Sequence, residues 1–325
     1  MALTDQSESG SSMIVTGTSG FIGRHTARRL QEAGWGRHQV IGLDRVEPTT
    51  PGVPYTPLQI DLRDEGEVAH LAERYRGLPV IHLAASAVVE VHTSQATEMV
   101  ASNVQATINI LTHIQPRFVV FASSGAVYGD CQNCCIPPNN APRGLYGCTK
   151  DMCEKVLDLW ADDTGAHAIS LRFGNVVGAG CRGLIPLLVN QATGRRAGEI
   201  ALRGGGEVYR DYVPVDYVVD HILEAATKLS KSRRDGGGHL IFNIGSDGRG
   251  YFSNRQIALF VADSLHKRGR GAPQVRTTPN LVLGEVMHTL LDTKGTSGFF
   301  SVKPLESRDI LDAVEAAVES YLETG

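Results

Sequence analysis

Long hydrophobic runs are absent from this chain of 325 residues, and no apolar stretch approaches the ~20 residues that span a bilayer. A surplus of positive charge is absent too: 31 Lys and Arg stand against 35 Asp and Glu, a net charge of −4. Neither nucleic acid nor a membrane surface is therefore an expected partner. The six cysteines lack the arrangement of a metal site. Cys131, Cys134 and Cys135 cluster, but a structural zinc site shows two well-spaced ligand pairs, and a second Cys-x-x-Cys or a His-x-x-x-His is missing. The expectation is no metal and reduced thiols, as in a cytoplasmic protein. Residues 1–11 are polar and have no hydrophobic centre, which reads as a flexible lead-in rather than a signal peptide.

What is present is an alternation of short apolar runs and longer amphipathic stretches. Candidate buried strands are 12–16, 39–43, 55–60, 79–83, 117–122 and 168–172, with helical stretches between them, among them 97–114 and 146–162. Such alternation predicts an α/β fold: a doubly wound Rossmann parallel sheet with helices on both faces. Past Arg172 the pattern loosens into short, glycine-punctuated elements, which predicts a smaller C-terminal α/β substrate domain. The expected division is 12–173 for a dinucleotide-binding domain and 174–325 mainly for substrate, with a segment near 213–245 returning to the first.

The first strand runs straight into Gly17-Thr18-Ser19-Gly20-Phe21-Ile22-Gly23 and then an amphipathic segment. Strand, glycine turn and helix form the context that a dinucleotide fingerprint requires. Gly17 serves the tight turn, Gly20 the approach to a pyrophosphate and Gly23 the helix–strand contact, with the phosphates at the helix N-terminus. The second strand ends in Asp44, at the spacing expected of the acid that binds the adenosine ribose hydroxyls. A carboxylate there favours NAD, and Arg45 is the opposing signal for NADP.

Downstream, Ser123 and Ser124 precede Tyr146 and Lys150. A Tyr at i and a Lys at i+4 share one helix face. The ammonium is expected to favour the phenolate and lower the tyrosine pKa from its usual value near ~10. A phenol so tuned takes the proton of an alcohol while a nicotinamide takes the hydride.

On these motifs the chain resembles the extended short-chain dehydrogenase/reductases of the nucleotide-sugar epimerase/dehydratase family, and within it most resembles the UDP-sugar 4-epimerases. The resemblance implies cofactor contacts from Gly17, Ser19, Gly20, Phe21, Ile22, Gly23, Asp44, Arg45, the pair Asp61 and Leu62, the loop Leu83-Ala84-Ala85 after His82, Asn103 of the central helix, Tyr146 and Lys150. It implies catalysis by Ser124, Tyr146 and Lys150, and substrate binding by Ser123, Ser124, Asn175, Arg210 and Arg276. Asn175 and Arg210 are matched to the diphosphate, Leu184-Ile185-Pro186 to the nucleobase pocket, and the loop holding Glu90 and His92 to the sugar side. A homodimer pairing the helices 97–114 and 146–162 is implied by analogy.

The neighbours of Ser124 narrow the reaction. Family 4,6-dehydratases carry an Asp-Glu pair there and related decarboxylases a Glu, whereas this chain has Gly125-Ala126. Elimination lacks its acid, and epimerisation or 4-keto reduction remains. The implied function is NAD-dependent epimerisation at C4 of a nucleotide-diphospho-hexose through a 4-keto intermediate. An NAD(P)H-dependent 4-ketosugar reductase and a non-catalytic dinucleotide-binding protein are the alternatives. The chain departs from the family pattern at Pro137-Pro-Asn-Asn140, which lacks a Glu, and after Arg276, where Thr-Thr-Pro-Asn280 replaces Gly-Asp.

Overall fold

A computed structural model of the chain describes residues 12–49, 51–88, 93–136, 140–194, 198–232, 236–279 and 286–324. Its strands are β1 (Met13–Thr16), β2 (Val40–Asp44), β3 (Thr56–Gln59), β4 (Val80–His82), β5 (Phe118–Ser124), β6 (Cys131–Cys134) and β7 (His167–Phe173). They continue as β8 (Asn175–Val177), β9 (Glu199–Leu202), β10 (Tyr209–Pro214), β11 (Gly238–Ile244), β12 (Tyr251–Ser253), β13 (Gln274–Thr277) and β14 (His288–Leu291).

Seven strands form one sheet in the order β11-β7-β5-β4-β1-β2-β3. The pairs β1–β2, β1–β4, β2–β3 and β4–β5 are parallel. Strands covered on both faces read as continuous apolar runs, and β1 and β4 are buried at every residue. The chain winds outward from β1 through β2 to β3, then restarts at β4 on the other side. This reversal between β1 and β4 is the topological switch point, where ligands of open α/β sheets bind at the carboxyl ends of the strands. Helices Phe21–Glu32, Glu65–Tyr75 and Leu145–Thr164 and the helical stretch 96–114 accompany the sheet. That last stretch alternates α- and π-helical turns, with π turns at Ala101–Gln105 and Ile110–Ile114. Its Ile110 and Ile114 join Ile14, Leu43 and Val80 in one core cluster, while Leu157 of the Leu145–Thr164 helix joins Phe121 and Ala168 in another. Each such Leu, Ile, Val or Phe side chain contributes roughly 1.5–3 kcal/mol on burial.

The chain divides into two compact units, the first comprising the described residues up to Val127, Gly144–Arg172 and Val219–Phe242. The second comprises Tyr128–Arg143, Phe173–Val218 and the described residues from Asn243 onward. Residues 128–143 thus differ from expectation. They leave the first unit because β6 pairs with β14, in the sheet β12-β10-β14-β6 of the second. Parallel β13 and β9 form a separate ribbon there. Cys134 is buried, and burial pushes its thiol up. Among the described residues no His, Cys, Asp and Glu cluster is arranged to hold a metal, and no helix is long and apolar enough to cross a membrane.

Candidate active site

The glycine loop leaves β1 at Thr16 and turns at Gly17, whose φ of +73° belongs to the left-handed region. A Cβ on Gly17 would lie 2.8 Å from the Ala84 backbone nitrogen. One on Gly23 would lie 2.0 Å from the Gly17 carbonyl oxygen, so only glycine lets the helix start this close to the turn. The second strand delivers Asp44 to the same loop: its Oδ2 accepts from the Ser19 nitrogen at 2.9 Å, and its Oδ1 from the Val46 nitrogen at 3.0 Å. Ser19 and Asp44 line a cavity of about 330 Å3 with Thr18, Val46 and Gln59. A glycine turn that a Cβ would fill, a helix N-terminus behind it and a fixed carboxylate one strand away fit a dinucleotide. Phe21 and Ile22 open the helix, partly exposed. Arg45 is exposed and its backbone carbonyl accepts from Gln59 Nε2 at 3.1 Å. Asp61 is held by Arg63, whose guanidinium donates to both carboxylate oxygens and lowers the Asp61 pKa, while Leu62 is buried in the core.

The loop after β4 is fixed by a hydrogen-bond network. Thr16 Oγ1 accepts from the Leu83 and Ala84 nitrogens at 3.0 Å each. With both lone pairs taken, its proton goes to His82 Nδ1, 2.8 Å away. His82 Nε2 must then carry the ring hydrogen, and it donates to Thr107 Oγ1 at 3.1 Å. Thr107 in turn donates to the Asn103 carbonyl at 2.7 Å. The Asn103 amide clasps Ser86, accepting from its nitrogen at 2.7 Å and donating to its carbonyl at 3.1 Å, and also donates to Thr149 Oγ1 at 2.9 Å. Thr149 Oγ1 donates to the Tyr146 carbonyl at 2.8 Å. Thr16, His82, Thr107 and Thr149 therefore connect the glycine turn to the start of the Leu145–Thr164 helix. The motifs placed Thr16 and His82 at the edges of the two cofactor loops, but nothing in the sequence pointed to Thr107, Thr149 or the network that joins all four. Burial and the charge of Lys150 push His82 down to about 3, so its ring is neutral.

Ser124, Tyr146 and Lys150 come together at the end of β5. Tyr146 is half-buried, and that burial pushes its phenol up to about 12, while a hydrogen bond with Ser124 pulls the other way. Lys150 is 2% exposed. Its Nζ donates to the Ala122 carbonyl at 2.7 Å and lies 4.6 Å above the Phe121 ring and 5.9 Å from the Tyr146 ring centroid. Burial pushes the ammonium down to about 8. The expected lowering of the tyrosine by Lys150 is therefore corrected: in the chain alone desolvation dominates, and the ammonium is aimed at a strand carbonyl. Ser123 also departs from its expected role. It is buried, and its hydroxyl donates to Glu154 Oε1 rather than lining an open surface beside Ser124.

The other expected substrate residues lie on the second unit. Asn175 is exposed on β8, facing Tyr212 in register on β10. Arg210 is half-buried on β10, with Nη1 donating to the Tyr209 carbonyl at 2.9 Å. Arg276 is exposed on β13, 3.7 Å from Glu199. Ile185 is buried in the helix that Leu184 opens. Glu90 and His92 lie outside the described residues.

Several known proteins are similar over most of the chain. The UDP-glucose 4-epimerase of Halalkalibacterium halodurans is 30% identical over 264 residues, 74% of this chain and 76% of that protein. The Mus musculus UDP-glucose 4-epimerase is 30% identical over 278 residues, 74% of this chain and 78% of that protein. A crystal structure of a UDP-galactose 4-epimerase superposes with a TM-score of 0.79 at 25% identity, covering 96% of this chain and 99% of the other. Residues 13–245, from β1 through the last strand of the large sheet, match the NAD dependent epimerase/dehydratase family, and the chain belongs to it.

Proposed function

We propose that the protein is an NAD-dependent 4-epimerase of a nucleotide-diphospho-hexose, with a UDP-sugar as the preferred substrate. The observation that carries this reading is the meeting of Ser124, Tyr146 and Lys150 in the same unit as the glycine loop and Asp44. Gly125 and Ala126 follow Ser124, so an eliminating enzyme's second acid is missing at that point. The relatives' identities supply the sugar class.

Asp44 would hold the adenosine ribose and the N-terminus of the Phe21–Glu32 helix the pyrophosphate. Leu83, Ala84 and Asn103 would border the nicotinamide half. NAD, when bound, supplies the acceptor for the hydride leaving C4 of the sugar and the donor that returns it to the opposite face. The protein's part is the proton. The accepting species is the Tyr146 phenolate: Oη takes the proton from the 4-hydroxyl as the C4–H bond breaks, becoming the phenol and leaving a 4-keto sugar, and gives the proton back once the C–H bond re-forms. Ser124 holds the same 4-hydroxyl oxygen. Lys150, charged below about pH 8, offsets the cost of holding that phenolate where burial raises the phenol pKa. General acid–base catalysis of this kind contributes ~10²–10⁴-fold.

Asn175, Arg210 and Arg276 are the proposed ligands of the diphosphate, for which a guanidinium fork is suited. The molecule is proposed to be a homodimer. Val100 on the helical stretch 96–114, and Met152 and Leu159 on helix Leu145–Thr164, expose 36%, 46% and 65% of their surface. Purified protein offered UDP-glucose, UDP-N-acetylglucosamine and UDP-glucuronate without added cofactor tests the reading. It requires a C4 stereoisomer to form, and unchanged sugars together with loss of cofactor on purification would refute it.

A further inference from the structure

One turn beyond Lys150, the Leu145–Thr164 helix carries Glu154, which is 3% exposed. Glu154 Oε1 accepts from Ser123 Oγ on β5 and, at 2.9 Å, from Arg172 Nε on β7. Its Oε2 accepts from Arg172 Nη2 at 2.5 Å, and Arg172 is fully buried. Helix and two strands thus meet at one carboxylate. An ion pair this deep is a weak source of stability, because desolvating both charges offsets their attraction and a well-packed apolar pair does as well. Its location offers a better reason for its presence. Ser123 directly precedes Ser124, and Lys150 and Tyr146 stand one and two turns back on the same helix.

We infer that Glu154 is a positioning residue for the reaction: it ties Ser123, and so Ser124, to the helix bearing Tyr146 and Lys150, and sets a fixed negative charge beside Lys150. This rests on the 4-epimerase reading above. Lys150 is faced by Tyr146, Cys153 and Glu154 from its own helix, by His82 from β4, and by the Ala122 carbonyl and Phe121 ring from β5. Burial pushes its pKa down, and Cys153 and Glu154 push it up. His82 is neutral, and burial raises the Cys153 thiol, so that group is neutral as well. Glu154 is then the negative charge that sustains the ammonium. Arg172 balances Glu154 from the side of β7.

The test is a 15N-lysine NMR titration of Lys150 without substrate, its signal assigned with Lys150→Met, paired with pH–rate profiles. In Glu154→Gln the Lys150 midpoint moves below its wild-type value near 8, and kcat falls on the order of tenfold to a hundredfold while KM stays within about twofold. Ser123→Ala lowers kcat and leaves the midpoint in place. Because Glu154→Gln strands a buried guanidinium, the double variant Glu154→Leu/Arg172→Met supplies a folded counterpart, and it shares the lowered midpoint. Wild-type midpoint and kcat in either carboxylate-free variant would overturn the inference. A wild-type protein that epimerises none of the UDP-sugars would instead overturn the functional reading, and the titration would still decide the coupling of Glu154 to Lys150.

Discussion

His82 makes the first unit acid-sensitive in a way that can be measured. Its neutral ring accepts from Thr16 and donates to Thr107. A proton on Nδ1 would face a hydroxyl oxygen whose lone pairs already serve Leu83 and Ala84. The folded pKa of about 3 lies below the ordinary 6.5, so between those values the unfolded chain binds the extra proton and stability falls as pH falls. At pH 5 the gap to 6.5 is roughly 1.5 units, about 2 kcal/mol at 1.36 kcal/mol per unit. Asp211 in the second unit works the other way. Burial raises it to about 6, so its contribution is present in acid and is lost as pH rises through about 6. A wild-type curve alone therefore mixes the two. His82→Gln keeps one acceptor and one donor but cannot take the proton, and the comparison with it isolates the histidine. Urea unfolding at pH 7 and pH 5 should show the wild-type advantage over His82→Gln shrinking by about 2 kcal/mol. An advantage that stays constant between the two pH values would refute the assignment of His82 as a buried neutral anchor.

Three further outcomes follow from the geometry. Gly23→Ala puts a methyl 2.0 Å from the Gly17 carbonyl; it should destabilise by about 1–3 kcal/mol and abolish the rise in Tm that NAD gives the wild type. Asp44→Asn removes the charge proposed to hold the ribose and should weaken NAD by about tenfold or more, read by calorimetry. Leu159→Glu, at a side chain 65% exposed, should convert the proposed dimer to a monomer in light scattering without changing the circular dichroism spectrum.

The large sheet was legible because β1, β2, β4 and β5 are largely apolar runs buried on both faces, while β7 alternates apolar residues with Ser170 and Arg172 and is buried beyond its first residue. The second unit was not. Its β6, β8, β12 and β14 are three or four residues long, and β6 (Cys-Gln-Asn-Cys) has no apolar alternation, so nothing marked 128–143 as leaving the first unit. Local spacing announced the glycine turn, Asp44 and the Tyr146–Lys150 pair. The network behind them joins residues far apart in the chain, as Thr16 and His82 are by 66 positions and Asn103 and Thr149 by 46. Spacing also placed Lys150 beside Tyr146 without revealing which way its ammonium pointed. Desolvation of the phenol, a property of packing, was likewise hidden.

Tyr146 Oη is the atom proposed to move the proton of the sugar's 4-hydroxyl. Tyr146→Phe, purified with its NAD content and fold verified, should interconvert UDP-glucose and UDP-galactose at least about a hundredfold more slowly than the wild type. Turnover at the wild-type rate with NAD bound would contradict it.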